Sequence, residues 1–236
     1  GMANLKLPTG EIEIEATHLE ILNKAQTPPF TPFEFGKTGE ETRLRYRYID
    51  LRRPQMQRIL ETRHRVTKIM RDYLDAEGFM EIETPFLCRS TPEGARDFLV
   101  PSRLQEGAFY ALPQSPQLFK QILMVAGCER YMQIVRCFRD EDPRADRQAE
   151  FTQLDMEMSF VDQDEVMTIC EGMIRRIWKD ILDVEVPEIQ RMPYSEAISR
   201  FGSDRPDLRF GMELIDVTDI VKDSDFRVFT QAVEEG

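Results

Sequence analysis

The sequence reads as an α+β chain. Three separate stretches repeat their apolar residues at helical spacing, and between the second and third lie two alternating segments joined by a polar loop, the pattern of an antiparallel hairpin. With 236 residues, 41% hydrophobic and 31% charged, the chain is long enough to bury a core, as one large domain or as one domain with pieces of its neighbours.

From the N-terminus, Gly1 before Met2 is read as a tag-removal scar and left out of the fold argument. Glu11–Ile14 alternate as a strand does, and 17–22 continue in an extended pattern. The proline-rich run Gln26-Thr27-Pro28-Pro29-Phe30-Thr31-Pro32 can be neither helix nor central strand, which places a domain boundary there. Residues 1–26 are then expected to be the tail of a neighbouring domain and its hinge. A long helix is predicted from Pro54 to Glu77, with Met56, Ile59, Leu60, Val66, Ile69, Met70, Tyr73 and Leu74 on one face, Pro54 in the first turn and Gly78 as the stop. Phe79–Pro85 alternates as a strand. A second helix is predicted from Ser115 to Ala126, capped by Ser115, with Pro116 in its first position, Gly127 at its end, and Gln117 and Lys120 on one face. The hairpin strands are predicted at Tyr131–Glu141 and Glu150–Ser159. The third helix is predicted from Gln163 to Leu182, opened by a capping-box-like Asp162 and Glu165, with Val166, Ile169, Met173, Ile177 and Ile181 as its apolar stripe. The short patterns from 207 onward are expected to begin another module.

Composition excludes several function classes. No apolar run approaches the roughly 18–20 residues of a membrane span, and no secretory signal opens the chain. Cys88, Cys128, Cys137 and Cys170 form no CxxC pair and only His18 and His64 accompany them, so the spacing suits reduced thiols of a cytoplasmic protein rather than a zinc site. A net charge of −12 argues against a generic nucleic-acid binder. The stretch 42–71 is different: nine Arg and one Lys stand against Asp50 and Glu61, which fits either a salt-bridged helix face or contact with a polyanion or an acidic subunit.

The chemistry concentrates in the hairpin. Alternation places Phe151, Gln153, Asp155 and Glu157 on one face of the second strand, and Thr152, Leu154, Met156 and Met158 on the other, expected to face the core. Arg139 and Glu141 share a face at the end of the first strand. Such a set is costly to bury without partners. It is either a salt-bridged sheet face or a polar ligand floor, with Arg for a phosphate, acids for an ammonium or a metal, and an aromatic for a flat base. No Gly-rich loop offers another nucleotide site: Phe35-Gly36-Lys37-Thr38 contains GKT, but Thr31 stands where a phosphate loop needs glycine.

The run Phe138-Arg139-Asp140-Glu141-Asp142-Pro143-Arg144-Ala145-Asp146-Arg147-Gln148-Ala149-Glu150-Phe151-Thr152-Gln153-Leu154-Asp155 resembles motif 2 of the class II aminoacyl-tRNA synthetases in their bacterial aspartyl form. Phe79–Pro85 resembles motif 1, whose proline sits at a dimer interface. Ser90-Thr91-Pro92-Glu93-Gly94-Ala95-Arg96-Asp97 resembles a mobile loop that closes over aspartate, and Ser115-Pro116-Gln117-Leu118-Phe119-Lys120 the aspartate-specific segment. The resemblance spans roughly residue 26 to the end.

The resemblance implies an incomplete class II catalytic core, an antiparallel sheet flanked by helices, over 27–206, with 207–236 starting the bacterial insertion module. It implies activation of L-aspartate by ATP with Mg2+, transfer to the 3′ end of tRNA, and a homodimer using Pro85 and the basic stretch near Arg52 and Arg53. Arg139 would grip the α-phosphate. Glu141 would read the adenine side, Phe151 would stack under the base, and Asp140 and Gln148 would complete the ATP site. Glu93 and Asp155, helped by Gln153, would bind the aspartate ammonium, and Lys120 with Gln117 its side chain. A third motif is absent, so the chain alone is expected to be inactive. Two alternatives remain open: an asparaginyl-type synthetase or asparagine synthetase of the same lineage, and a non-catalytic synthetase-like paralogue.

Overall fold

The computed structural model describes every residue except 1, 2, 8, 34, 35, 37, 92, 143, 145 and 236. The expectations for Gly1, Met2, Phe35, Lys37, Pro92, Pro143 and Ala145 therefore lie outside the described residues. By proximity the chain divides into two compact units, 1–68 and 69–236, the boundary falling within one long helix.

In the first unit, α1 (Glu40–Arg45) and α2 (Arg47–Asp50) precede α3 (Pro54–Ala76). The predicted N-terminal strand does not form. Ile12, Ile14, Leu19, Ile21 and Leu22 are 70–88% exposed and pair with nothing among the described residues. Alternation prepares a strand, but a strand needs a neighbour to satisfy its backbone. Part of the basic stretch is internal: Asp50 is fully buried, with Arg43 Nε at 2.8 Å, Arg47 Nη1 at 2.7 Å and Arg53 Nε at 3.1 Å. The Arg43 hydrogen bond holds the Asp50 carboxyl below its ordinary range. Arg53 in turn covers the ring of Phe30, which anchors the proline-rich run.

Helix α3 matches its prediction closely, and its end has a clear physical cause. Gly78 takes φ +81°, its N–H meets Asp75 C=O, and Phe79 N–H returns to Leu74 C=O. This is a Schellman stop, sealed by the buried pair Leu74 and Phe79. Only β1 (Met80–Glu81) of the predicted strand 79–85 makes a ladder, parallel to β4. The rest runs on extended to buried Thr84. The strands β2 (Leu99–Pro101) and β3 (Phe109–Ala111) form a separate antiparallel pair.

Helix α4 spans Gln117–Val125. Its cap sits one residue later than expected: Pro116 is the N-cap, and the Ser115 hydroxyl accepts from Gln117 N–H at 3.3 Å. The strands β4 (Arg130–Phe138) and β5 (Glu150–Met158) pair antiparallel, in the sheet order β1-β4-β5. The hairpin connection begins at Arg139 rather than Asp142. Helix α5 (Gln163–Leu182) starts with the predicted Asp162–Glu165 capping box and buries Ile169, Met173 and Ile177. The helices α6 (Tyr194–Phe201), α7 (Thr218–Val221) and α8 (Arg227–Glu235) complete the chain described. The α+β class holds.

One expectation about the sheet is reversed. The face of β5 read as apolar and core-facing is only half-buried, whereas the polar face is the deeper one. Ladder register sets Phe151, Gln153, Asp155 and Glu157 opposite Cys137, Val135, Gln133 and Tyr131, all four of which are buried. Helix α4 packs over this face. The reason is local: β4 supplies the apolar area there, and the polar residues of β5 are satisfied by α4 and by one another.

Candidate active site

The floor of the site is this polar face. Lys120, projecting from α4, is 9% exposed and places its Nζ 3.1 Å from Asp155 Oδ1 and 3.2 Å from Glu157 Oε2. Gln153 Nε2 donates to the same Asp155 oxygen at 3.3 Å. Asp155 Oδ2 is buried with no hydrogen-bond partner among the described residues. Burial pushes the Asp155 carboxyl above its ordinary range, Glu157 and Glu93 add to the push, and Lys120 opposes it. Burial works to lower Lys120, but Asp155 and Glu157 outweigh it and hold the ammonium above the ordinary lysine range. An ammonium has three donors and these two acids use two of them, so the third remains for an incoming carboxylate. Beneath, Thr84 and Tyr131 both donate to Gln133 Oε1, at 3.0 and 2.8 Å, which locks the β4 side of the floor. Burial raises the Cys137 thiol to about 11, so this cysteine is an inert wall.

One rim is the loop 90–97. Ser115 Oγ donates to Glu93 Oε2 at 2.9 Å and Thr91 Oγ1 reaches Glu93 Oε1 at 3.3 Å. The exposed Glu93 is thus held beside the start of α4. Gln117 and Lys120 lie one helical turn apart on α4.

The other compartment lies at the hairpin connection. Arg139, Glu141, Asp142, Asp146, Arg147, Gln148, Ala149 and Phe151 line a cleft of about 350 Å³. The Arg139 guanidinium lies 5.1 Å above the Phe151 ring centre. Asp140 N–H donates to Arg96 C=O at 3.0 Å, so the connection is tied to loop 90–97. A neighbouring cleft of about 390 Å³ adds Arg96, Arg144 and Arg147.

The structure therefore brings Lys120, Gln153 and Asp155 into direct contact, groups Arg139, Glu141, Gln148 and Phe151 around one cleft, and sets Glu93 at the rim. Asp140 turns to Arg96 rather than into the first cleft, and Pro85 lies exposed away from these groups. Sequence reasoning missed three participants. Glu157 was visible on the acidic face but was given no role. Ser115 was read only as a cap. Gln114, 2% exposed, had no periodicity to single it out. Among the described residues no three His, Cys, Asp or Glu side chains gather in a way that could hold a metal by themselves, and no helix is long and apolar enough to cross a membrane.

The chain was compared with known proteins. Residues 39–230 match the family model described as tRNA synthetases class II (D, K and N). An aspartate–tRNA(Asp/Asn) ligase of Halothermothrix orenii is 62% identical over 237 residues, covering all of this chain and 40% of the relative. An aspartate–tRNA ligase of Agathobacter rectalis is 60% identical, covering 99% of this chain and 39% of the relative. Among solved structures, a putative aspartyl-tRNA synthetase of Leishmania major matches with a TM-score of 0.58 and 28% identity, over 66% of this chain and 31% of that one. The chain thus spans about 40% of the length of its curated relatives.

Proposed function

Because the chain belongs to the class II tRNA synthetases of the D, K and N group, we propose that the full-length protein is an aspartate–tRNA ligase, which activates L-aspartate with ATP and passes it to the 3′ end of tRNA. One observation carries this reading. A single strand face presents an aromatic and arginine compartment at Phe151 and a buried acid–lysine compartment at Asp155. Four residues of strand separate the two, about 13 Å, which leaves room for the ribose and phosphate of a nucleotide between base and amino acid.

The residues divide the work by charge. Lys120, with Gln117 beside it, takes the side-chain carboxylate of aspartate. Asp155 through its unpartnered oxygen, Gln153 and Glu93 take the α-ammonium. The α-carboxylate then lies toward Arg139. Attack on the α-phosphorus joins two anionic groups, so neutralisation and alignment are the main catalytic tasks. Arg139 offers a planar fork to the phosphate oxygens. Its present place over Phe151 is inexpensive to leave, since a cation–π contact at an exposed site contributes only about 0.5–1 kcal/mol. Binding exchanges the guanidinium for the adenine on that ring, with Glu141, Gln148 and Asp140 framing the nucleotide. Magnesium suits this site as an ion carried by the phosphates together with one or two carboxylates, and Glu141, Asp142 and Asp146 line the cleft for that purpose. When bound, it would offset phosphate charge.

A lysine already committed to carboxylates favours aspartate over asparagine, because a neutral amide leaves the third donor poorly matched. A homodimer through α3 is part of the proposal: Ile59 and Leu60 are 59% and 47% exposed on that helix, and Pro85 is exposed as well. The module boundaries 1–26, 27–206 and 207–236 and a cytoplasmic location, which the four free thiols suit, belong to the same reading.

The test is ATP–pyrophosphate exchange by the full-length protein with each amino acid in turn. Aspartate alone should support it. Exchange with asparagine would establish the asparaginyl alternative, and binding of ATP and aspartate without exchange would establish the non-catalytic one.

A further inference from the structure

The loop 90–97 is exposed along most of its length, yet its C-terminal arm is held by a single buried side chain. Gln114 is 2% exposed and spends its whole amide on this arm. Its Oε1 accepts from Ala95 N–H at 3.1 Å, and its Nε2 donates to Ala95 C=O at 2.9 Å and to Asp97 Oδ1 at 2.5 Å. The side-chain amide thus pairs with a backbone residue as a neighbouring strand would. Asp97 is held from its other side by Ser90 Oγ at 2.6 Å, which joins the two ends of the loop. The next residue along the chain from Gln114 is Ser115, whose hydroxyl holds Glu93. Two consecutive residues ahead of α4 therefore fix the foot of the loop and catch its tip.

We propose that Gln114 is a positioning residue for amino-acid binding: its buried amide fixes the foot of loop 90–97, so that Glu93 comes to the rim of the Lys120–Asp155 compartment in one place. The inference rests on the aspartate reading for its kinetic consequence but not for its structural one. A loop whose foot is free samples many positions of Glu93, and only the fraction with Glu93 at the rim can engage an ammonium. Apparent affinity falls by that fraction. ATP, which lies against Arg139 and Phe151, does not feel this loss directly.

The experiment uses the full-length protein with Gln114→Ala, Gln114→Glu and the pair Gln114→Glu with Asp97→Asn. Gln114→Ala should raise the aspartate KM about tenfold, the loss of roughly one to two net hydrogen bonds, with the ATP KM within about twofold of wild type. Gln114→Glu sets a carboxylate against Asp97 and should be at least as damaging. Adding Asp97→Asn returns a donor to face the new acceptor and should recover part of the loss. Hydrogen exchange of the unliganded protein gives a readout independent of substrate: the Ala95 amide should exchange faster in Gln114→Ala while the β4–β5 amides stay protected. An unchanged aspartate KM together with unchanged exchange at Ala95 overturns the proposal. So does a uniform loss of protection and of both KM values, which would make Gln114 an ordinary core residue. If wild type shows no aspartate-dependent pyrophosphate exchange, the aspartate reading fails, and the exchange rate at Ala95 still decides whether Gln114 holds the loop.

Discussion

Replacing Lys120 by methionine tests the central contact of the site. The side chains of Lys120 and Asp155 are 11% and 8% exposed, while Glu157 is 31% exposed. Without the ammonium, Glu157 can turn to water. Asp155 cannot: Oδ2 has no partner, and Oδ1 keeps only the 3.3 Å bond from Gln153. The cost is that of one uncompensated buried carboxylate, about 3–5 kcal/mol. The lower end applies, because burial already raises the Asp155 carboxyl and protonation offers a partial escape. Urea unfolding of the chain at pH 8 should then lose about 3 kcal/mol, a midpoint shift of about 1 M for a slope near 3 kcal/mol/M. The loss should shrink at pH 5, where the neutral acid is cheaper to keep buried. Adding Asp155→Leu should return stability to within about 1 kcal/mol of wild type, since a buried ion pair replaced by apolar groups is often nearly neutral. A midpoint shift under about 0.3 M for Lys120→Met, equal at both pH values, would refute the reasoning: the ammonium would then be solvated and the pair inconsequential.

Four further outcomes follow from the same coordinates. An ammonium ligand favours ionised Asp155, whose folded pKa is raised, so aspartate affinity should rise with pH through a value above the ordinary aspartate pKa of about 3.9 and level off beyond it; calorimetric titration of Asp155→Asn should show a flat profile. Arg139→Lys keeps the charge but loses the planar fork, and pyrophosphate exchange should fall by about 10²-fold with a smaller change in aspartate binding. Gly172 faces Tyr73, and a Cβ there would lie 2.2 Å from the Tyr73 hydroxyl oxygen; Gly172→Ala should lower stability by about 1–3 kcal/mol in thermal unfolding. Gly78→Ala forces a side chain into φ +81° and should cost about 1 kcal/mol by the same measurement.

The legible parts of this fold are those where local chemistry and tertiary structure agree. Asp162 and Glu165 make a capping box wherever a helix follows them, so α5 is found to the residue. Gly78 and Gly127 both take positive φ, and each ends its helix as expected. The strand pattern at 11–14 needed a partner that alternation cannot supply, and it stays unpaired. Pro116 illustrates a finer limit, since a proline fits both the N-cap and the first turn, and only backbone geometry separates them. In the site, residues on β5 were legible because alternation fixes their side of the strand. Ser115 and Gln114 were not, because their partners Glu93, Ala95 and Asp97 are 17–22 residues away in the chain and no periodic pattern joins them.

The reversed sheet face connects these observations. Burial by hydrophobicity alone would send Leu154 and Met156 inward and leave Gln153, Asp155 and Glu157 to water. The opposite occurs because β4 brings Tyr131, Val135 and Cys137 to the polar side, and α4 closes over them with a lysine rather than a leucine. Such an arrangement sacrifices stability, since a carboxylate oxygen stays buried and unpaired. The unpaired oxygen is also what a bound ammonium can complete at no cost in breaking an existing bond. On the proposed reading, the same atom that weakens the empty protein supplies part of the aspartate affinity. Asp155→Asn should therefore separate the two effects, keeping or raising stability while lowering aspartate affinity. A variant that lost both together would show that Asp155 is there only to hold Lys120.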